Sequence, residues 1–466
     1  MKRENILWLG IAMLVMSLIS ASCVKQGCVE DVEFTINQSS TKQAYQKKLS
    51  RDIMELSESD AIKLAGLFSE TARTKSVVRP VKEVIPIIDN CGKTVMYAVN
   101  YNDGYTIVSA TRKYHPVLAD VEHGTFSFEN QTGAQILINE MIEDIEKIDL
   151  GKSEAVSTSE WERYLEDETY EIPKTKMPND DYFDVLDRYL EIWSETGERM
   201  YYLRNKPEDM PEEMYQSFCS MAETDMGELD GYPYMECAII TEKHNYQYEN
   251  KGPLLATHWN QDSRYSPQYG TNLGCVTIAV GQIMKYYEYP QYFNWSQMPD
   301  TVLSGGNSVL TSFLELLHDD LNVNNSGGAY DSRALKVLKN YGYNCQKVSH
   351  TKSYPYSLLK DGHPVYMSGM KADDITKGHA WVCDGYYSSS HSVKYTLYIL
   401  TFSQGKPNAL EEWFDNTVYL SGPTIFFHMN WGWGGEHDGY FLDNNITVDG
   451  KNYSKFRNDI IISGHN

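Results

Sequence analysis

Within residues 251–466 the spacing of the apolar residues changes once, from a helical to a strand-like period. This change constrains the fold more than any other feature of the sequence. Up to about residue 341 the apolar residues recur at steps of three and four, which predicts helices. After Pro364 they alternate or form short runs, which predicts strands. Helices followed by strands are typical of an α+β domain. The predicted helices cover Val276–Tyr287, Val309–His318 and Ser332–Tyr341, and the predicted strands cover Val365–Met367, His379–Tyr387, Val393–Thr401 and Thr424–Met429.

Residues 57–150 predict a smaller unit that also mixes helices and strands. Ser57-Glu58-Ser59-Asp60 matches the capping pattern of a helix start and precedes an apolar helical stripe. Asp103-Gly104 separates two strand-like runs and predicts a hairpin turn. A second helix is predicted over Gln135–Ile148. The strands predicted between the two helices cover Val84–Ile88, Val95–Val99, Tyr105–Ser109 and Pro116–Val121.

The charge balance argues against two classes of partner. The chain has 41 Lys and Arg against 64 Asp and Glu, a net charge of −23. Such a polyanion repels nucleic-acid phosphates and gains nothing from counterion release, and it docks poorly on anionic membranes. Much of the excess lies in residues 151–250, with 25 acidic against 9 basic residues. We interpret 151–250 as an acidic, largely solvated connector with some helix, and as the region that holds the maturation site.

The N-terminus has the features of a secretory signal. Positive charge at Lys2-Arg3 precedes the apolar run Ile6–Ile19, which is too short to span a bilayer. Small residues then lead to Cys23, a pattern that resembles the lipobox of bacterial lipoproteins, although Ser20 stands where an aliphatic residue is usual. We expect a signal peptide over 1–22, lipidation of Cys23 and a tether over 23–56. A plain cleaved signal with an incidental Cys23 is the alternative.

The chain has eight cysteines, and their spacing contains no CxxC pair, which argues against a structural zinc site. Cys275 follows Leu273-Gly274 and opens a predicted helix. The N-terminus of a helix carries partial positive charge and lowers the pKa of a thiol, so a reactive cysteine is expected there. A buried structural cysteine is the alternative from position alone.

A cysteine nucleophile needs a base beside it, most often histidine. His379 lies between Gly378 and Ala380 at the start of a predicted strand, where small neighbours leave room for the ring. His428 and His437 are rival candidates, because they flank the segment Met429–Gly435. A half-exposed strand histidine with no catalytic role is the alternative for His379.

Three further residues have the chemistry to complete such a site. An Asn side chain can accept a hydrogen bond from imidazole and fix its tautomer, which suits Asn430. Trp431 could shield that bond from water. Gln261, upstream of Cys275, could donate to a developing oxyanion together with the Cys275 main-chain N–H. Each of these residues, taken alone, also fits a packing or surface role.

Taken together, four segments resemble the streptopain family of bacterial papain-like cysteine proteases. They occur in the family's order: Leu254–Gln261 (LLATHWNQ), Gly274–Pro290 (GCVTIAVGQIMKYYEYP), Gly378–Tyr386 (GHAWVCDGY) and Met429–Gly435 (MNWGWGG). Three shorter segments resemble the family's prodomain: Gly104–Ala110 (GYTIVSA), Pro116-Val117-Leu118 and Gly124-Thr125-Phe126. The chain departs from the family in a short stretch between Gln261 and Cys275 and in its acidic connector.

The resemblance implies a papain-like α+β catalytic domain over 251–466, preceded by a small α+β streptopain-type prodomain over 57–150. It implies an endopeptidase zymogen whose prodomain acts as an intramolecular inhibitor, with Cys275 as nucleophile and His379 as general base and acid. Asn430 would orient His379, Trp431 would shield it, and Gln261 would complete the oxyanion hole. Substrates would be proteins or peptides, no cofactor or metal would be required, and the enzyme would act outside the cytoplasm, held at the membrane only through lipid on Cys23.

Two other functions are weighed against this one. A papain-like enzyme of the envelope could instead hydrolyse cell-wall peptides, although the Asn-Trp segment argues against it. A non-catalytic surface lipoprotein could use residues 57–150 to bind or inhibit a protease, although the intact Cys275 and His379 argue against a scaffold without activity.

Overall fold

The computed structural model of the protein describes residues 48–72, 79–128, 132–155, 158–166, 180–226, 234–370, 378–442, 447–448, 451–452 and 457–465. The signal peptide, Cys23 and most of the tether predicted above lie outside these ranges. Within them, no helix combines the length and the apolar character that crossing a membrane requires.

Twelve strands of the described residues form one antiparallel sheet. Its strands lie in the order β1-β2-β3-β4-β11-β10-β9-β8-β14-β7, and β6 adds to β9 and pairs with β5. Strands β1–β11 and β14 cover Val81–Ile88, Thr94–Tyr101, Tyr105–Ser109, Val117–Val121, Arg199–Tyr202, Ile239–Lys251, Tyr343–Ser349, Val365–Met370, Gly378–Ser403, Lys406–Asn430, Gly439–Leu442 and Asn458–His465. Two short strands, β12 (Thr447–Val448) and β13 (Lys451–Asn452), form a separate pair. Helices α1–α9 cover Glu58–Ala72, Thr132–Asp149, Asp180–Thr196, Glu212–Met226, Tyr234–Cys237, Cys275–Tyr287, Ser308–Leu321, Asp331–Asn340 and Ser353–Lys360.

Strand β9 is buried on both faces because its side chains alternate between two hydrophobic cores. Ala380 and Val382 belong to the core formed with helices α6–α8. Trp381 and Cys383 belong to the opposite core, which residues 49–165 share. Successive side chains of a strand point to opposite faces. Strand β9 therefore joins helices α6–α8, which we call the helical layer, to residues 49–165, which we call the N-terminal unit.

The N-terminal unit contains the predicted helix–sheet–helix elements. The four predicted strands and both helices are present as β1–β4, α1 and α2, and Gly104 adopts a positive φ of 77° in the turn between β2 and β3. Packing begins before residue 57, since Leu49 and Leu56 lie in the same core. The unit joins the rest of the protein through β4, which pairs antiparallel with β11.

Residues 180–251 are not the solvated connector that the acidic composition indicates. They form α3–α5, β5 and β6, and β6 pairs with β9 from Ile239 to Lys251. Apolar residues of α3, among them Tyr182, Leu186 and Trp193, share a core with residues of β9 and β10. We call these elements, with residues 388–424 of the β9–β10 hairpin, the accessory lobe. The helix expected in this region is confirmed as α3, whereas the expectation of a largely solvated connector is wrong for these residues.

The helices and strands predicted for residues 251–466 are present, and the α+β fold class is confirmed. The main difference is the β9–β10 hairpin, because two predicted strands, His379–Tyr387 and Val393–Thr401, form one strand of 26 residues. The polar run Ser388–Ser392 remains in this strand because β6 and β10 pair on either side of it.

Candidate active site

Cys275 is the first residue of α6 and therefore lies where a helix presents unpaired N–H groups. The preceding Gly274 has a φ of 86°, and a Cβ there would lie 2.3 Å from the carbonyl oxygen of Gly327. Only glycine fits this turn, which sets the thiol at the helix end. Helix α6 is buried over most of its surface, from Val276 to Met284, so its position is fixed by packing.

The Cys275 side chain packs against the core to which Ala380, the residue after His379, belongs. The Ala380 main-chain N–H acts on the thiol and lowers its pKa. Burial nevertheless raises the pKa of Cys275, and the N–H groups of Ala380, Val276 and Cys275 only partly oppose this effect. The N–H groups at the helix terminus lower the pKa of Cys275 as expected, but desolvation is the larger effect and leaves the pKa raised.

His379 is buried at the start of β9, and a main-chain group holds its ring. Nε2 lies 2.9 Å from the carbonyl oxygen of Trp431. A carbonyl only accepts, so Nε2 carries the proton and Nδ1 is the basic nitrogen of the neutral ring. Burial lowers the pKa of His379 to about 4, against a smaller opposing effect of the Trp431 hydrogen bond.

Asn430 makes no hydrogen bond to His379, which corrects the expectation that it orients the ring. Its side-chain oxygen accepts from Gln282 Nε2 at 2.9 Å and from the Gly432 N–H at 3.2 Å, and its Nδ2 donates to the Thr257 carbonyl at 2.8 Å. Asn430 ends β10, and its side chain is directed toward α6. The Trp431 carbonyl therefore takes the role that the sequence assigned to Asn430.

Trp431 is fully buried and forms part of an aromatic cluster around His379. Its ring centroid is 6.3 Å from that of His379, but Trp433 is closer, at 4.8 Å. Trp381 lies parallel to His379 at 6.2 Å. The repeated Trp-Gly of the sequence was the signal for Trp433, which the sequence analysis did not assign to the site.

Gln261 lies on the loop before α6, and this loop is tied to the Trp431 segment. The Gly434 N–H donates to the Trp259 carbonyl at 3.0 Å, close to where Asn430 bonds Thr257. The main-chain N–H of Gln261 donates to Asn260 Oδ1 at 2.6 Å. Its side chain makes no hydrogen bond to any residue of the described ranges, which leaves the amide available to a ligand.

The two rival histidines lie in other surroundings. His428 is buried, and its Nδ1 is 2.6 Å from Asp384 Oδ1. Burial lowers the pKa of His428, but the charge and hydrogen bond of Asp384 outweigh it, so the pKa is raised. His437 is buried beside Gly124 of the N-terminal unit and edge-on to Trp433 at 6.1 Å.

Asp438 is a residue of this region that the sequence analysis missed. Its Oδ1 accepts the Trp431 N–H at 2.8 Å, and its Oδ2 is 3.6 Å from His258 Nδ1. Asp438 is buried, and burial raises its pKa. The Asp438 carboxyl group thus bonds the main-chain N–H of Trp431, and the carbonyl of Trp431 bonds His379.

In this conformation no hydrogen bond joins the Cys275 thiol to the His379 ring, both of which the structure describes. The raised pKa of the thiol and the lowered pKa of the imidazole both favour neutral groups. Among the described residues, no cluster of three or more His, Cys, Asp or Glu side chains is placed to hold a metal ion.

A sequence model of the peptidase C10 family matches residues 291–441, a range that includes His379, Asn430 and Trp431. Streptopain of Streptococcus pyogenes is 25% identical over 216 residues, which cover 36% of this chain and 44% of streptopain. The thiol protease/hemagglutinin PrtT of Porphyromonas gingivalis is 25% identical over 214 residues, which cover 37% of this chain and 20% of that protein. Over these residues the chain is similar to cysteine proteases of the streptopain family.

The chain spans less than half the length of these family members. Among solved structures, a fragment of prointerpain A from Prevotella intermedia aligns over 81% of this chain and 97% of its own, with 14% identity and a TM-score of 0.40. Active interpain A from the same organism aligns over 45% of this chain and 94% of its own, with 17% identity and a TM-score of 0.31.

Proposed function

We propose that the protein is a cysteine endopeptidase zymogen in which Cys275 is the nucleophile and His379 the general base and acid. The observation that carries the proposal is the position of Cys275 at the N-terminus of α6, where it packs against the core that contains Ala380, the residue after His379. Similarity to the peptidase C10 family and to streptopain supports the same assignment.

In the proposed reaction His379 Nδ1 takes the thiol proton, and the thiolate attacks the carbonyl carbon of a peptide bond. The oxyanion receives hydrogen bonds from the Cys275 N–H and the Gln261 amide, and one such donor is typically worth about 2.7–4 kcal/mol. The imidazolium then protonates the leaving amine as the C–N bond breaks. Water, deprotonated by His379, attacks the thioester and releases the acid and the thiol. The Trp431 carbonyl holds Nε2–H throughout, and Trp431 and Trp433 limit access of water to the ring.

The zymogen assignment rests on how residues 57–150 contact the site. Strand β4 pairs with β11, from Val121 opposite Gly439 to Ala119 opposite Phe441. The His437 N–H donates to the His123 carbonyl at 3.0 Å, so the contact extends almost to the Trp431–Gly435 loop. Trp431 itself lies in the core that this unit shares. We therefore infer that residues 57–150 act as an inhibitory prodomain, and that their removal lets the thiol and the imidazole meet.

The N-terminal sequence supports export and attachment to a bacterial envelope through Cys23, which lies outside the described residues. The accessible substrates would then be proteins or peptides outside the cytoplasm.

The test compares Cys275→Ala and His379→Ala with the parent on casein and on purified peptidoglycan. Both substitutions should abolish casein cleavage while the unfolding transition remains. Cys345→Ala, at a free and partly buried thiol on β7, is the matched control and should retain activity. An epoxide inhibitor of thiol proteases should label Cys275 in the activated parent. Casein cleavage by Cys275→Ala would refute the nucleophile, and cleavage of peptidoglycan alone would refute the substrate class.

A further inference from the structure

Gln282 is a completely buried polar residue of α6, about two helical turns after Cys275. A buried side-chain amide is costly unless its donor and acceptor are both satisfied. Its neighbours on the helix, Gly281 and Ile283, are buried apolar positions, so an apolar residue would fit the general pattern better. The contacts of Gln282 should therefore explain why a polar residue occupies this position.

Both ends of the Gln282 amide bond to segments that carry the proposed machinery. Nε2 donates to Asn430 Oδ1 at 2.9 Å, and Oε1 accepts the Trp259 main-chain N–H at 3.1 Å. Asn430 in turn donates to the Thr257 carbonyl at 2.8 Å. Two side-chain amides thus connect the helix of the nucleophile, the loop of Gln261 and the end of β10.

The residues that Gln282 bonds are close in sequence to the groups proposed to react or to hold them. Trp259 is two residues from Gln261, and Asn430 directly precedes Trp431, whose carbonyl holds His379. Because α6 carries Cys275 rigidly, a bond from Gln282 fixes both loops with respect to the thiol. A misplacement of about 1 Å at such a site can cost about 100-fold in rate.

We infer that Gln282 is a positioning residue for the peptidase reaction, and that it holds the Gln261 loop and the Trp431–Gly435 loop in register with Cys275. The inference rests on the proposed function for its effect on rate. It also makes a claim about His379 that does not depend on activity: loss of the Gln282–Asn430 bond loosens the Trp431 segment around the ring.

The experiment compares Gln282→Glu and Gln282→Met with the parent, each as the full-length chain carried through the same activation. Gln346→Glu and Gln346→Met, at an exposed position of β7, are the matched controls. We expect kcat to fall about 10- to 100-fold in both Gln282 variants with KM nearly unchanged, and no effect of the controls.

The Glu variant gives a signature that a purely structural role would not give. An ionised carboxylate cannot donate to Asn430 Oδ1, whereas a neutral carboxyl can donate there and still accept from the Trp259 N–H. Its activity relative to the parent should therefore recover as the pH falls, and that of Gln282→Met should not. Equal pH profiles for the two variants, or an unchanged kcat in variants that only unfold at lower temperature, would overturn the inference.

A second readout separates this inference from the proposed function. In histidine-labelled protein, the NMR signal of His379, assigned by its loss in His379→Ala, should titrate at higher pH in Gln282→Met than in the parent. If the parent is inactive but this titration moves, the proposed function fails and the positioning role stands. If the parent is active and the titration and kcat are both unmoved, the positioning role fails alone.

Discussion

The His379 ring donates from Nε2 to the main-chain carbonyl of Trp431 across 2.9 Å, and this bond fixes which nitrogen is basic. Because the acceptor belongs to the backbone, no substitution at position 431 removes it. The position of that carbonyl depends instead on the groups that hold the loop, among them Asp438 and Asn430. Activity should therefore be sensitive to residues that never touch the substrate.

Asp438→Ala tests this dependence directly. The change leaves the buried N–H of Trp431 without its acceptor, which costs about 1–3 kcal/mol. We expect a loss of unfolding free energy of that size, measured by urea denaturation, together with a lower kcat. Asp438→Asn keeps an oxygen acceptor and is the control. If Asp438→Ala lost stability but retained the full kcat, the loop would not position His379.

The stability of the protein should depend on pH through His379. Its pKa is about 4 in the folded state against about 6.5 when unfolded, so between these values the unfolded chain binds more protons. Stability contributed by the neutral ring is present above pH 6.5 and is lost as the pH falls toward 4, by about 3 kcal/mol in total.

Urea unfolding of the parent and of His379→Ala across this interval measures the effect. The variant should gain stability relative to the parent as the pH falls. A stability difference that stays constant from pH 7 to pH 4.5 would contradict the assigned burial.

The sequence predicted the elements of the N-terminal unit and of the helical layer because their patterns are local. The hairpin turn at Gly104 and the start of α6 at Cys275 depend on residues next to each other in the chain. The accessory lobe could not be predicted in this way. Its strand β6 is polar over much of its length and is held by pairing with β9, more than one hundred residues later.

The candidate site likewise has a part that the sequence could predict and a part that depends on distant segments. Residue type and spacing pointed to Cys275 and His379, since few side chains have the required chemistry. The sequence could not show that a backbone carbonyl, and not Asn430, bonds the imidazole, because every residue has a carbonyl. It also could not weigh the burial of the thiol against the helix terminus, since burial depends on distant segments.

The Cys275 thiol should react slowly in the full-length chain. Burial raises its pKa, so the thiolate fraction at pH 7 is small and rises only in the alkaline range. We expect alkylation of Cys275 by iodoacetamide, followed by peptide mass spectrometry, to lag behind that of the exposed Cys91 at pH 7. Removal of residues 57–150 should accelerate the reaction of Cys275 and leave the rate of a denatured control unchanged. Rapid alkylation of Cys275 at pH 7 in the intact chain would refute the latent state.

Maturation should produce a new N-terminus between residues 166 and 180. Trp161 and Leu165 lie in the core of the N-terminal unit, whereas Tyr182 and Val185 lie in the core of the accessory lobe. A cut between these two groups separates the prodomain and leaves the core of the accessory lobe whole, whereas a cut within β6 would divide a strand paired with β9. N-terminal sequencing of the active species measures the site, and incubation of Cys275→Ala alone shows whether the cut is made by the protein itself. A mature N-terminus beyond residue 234 would mean that the accessory lobe is part of the prodomain.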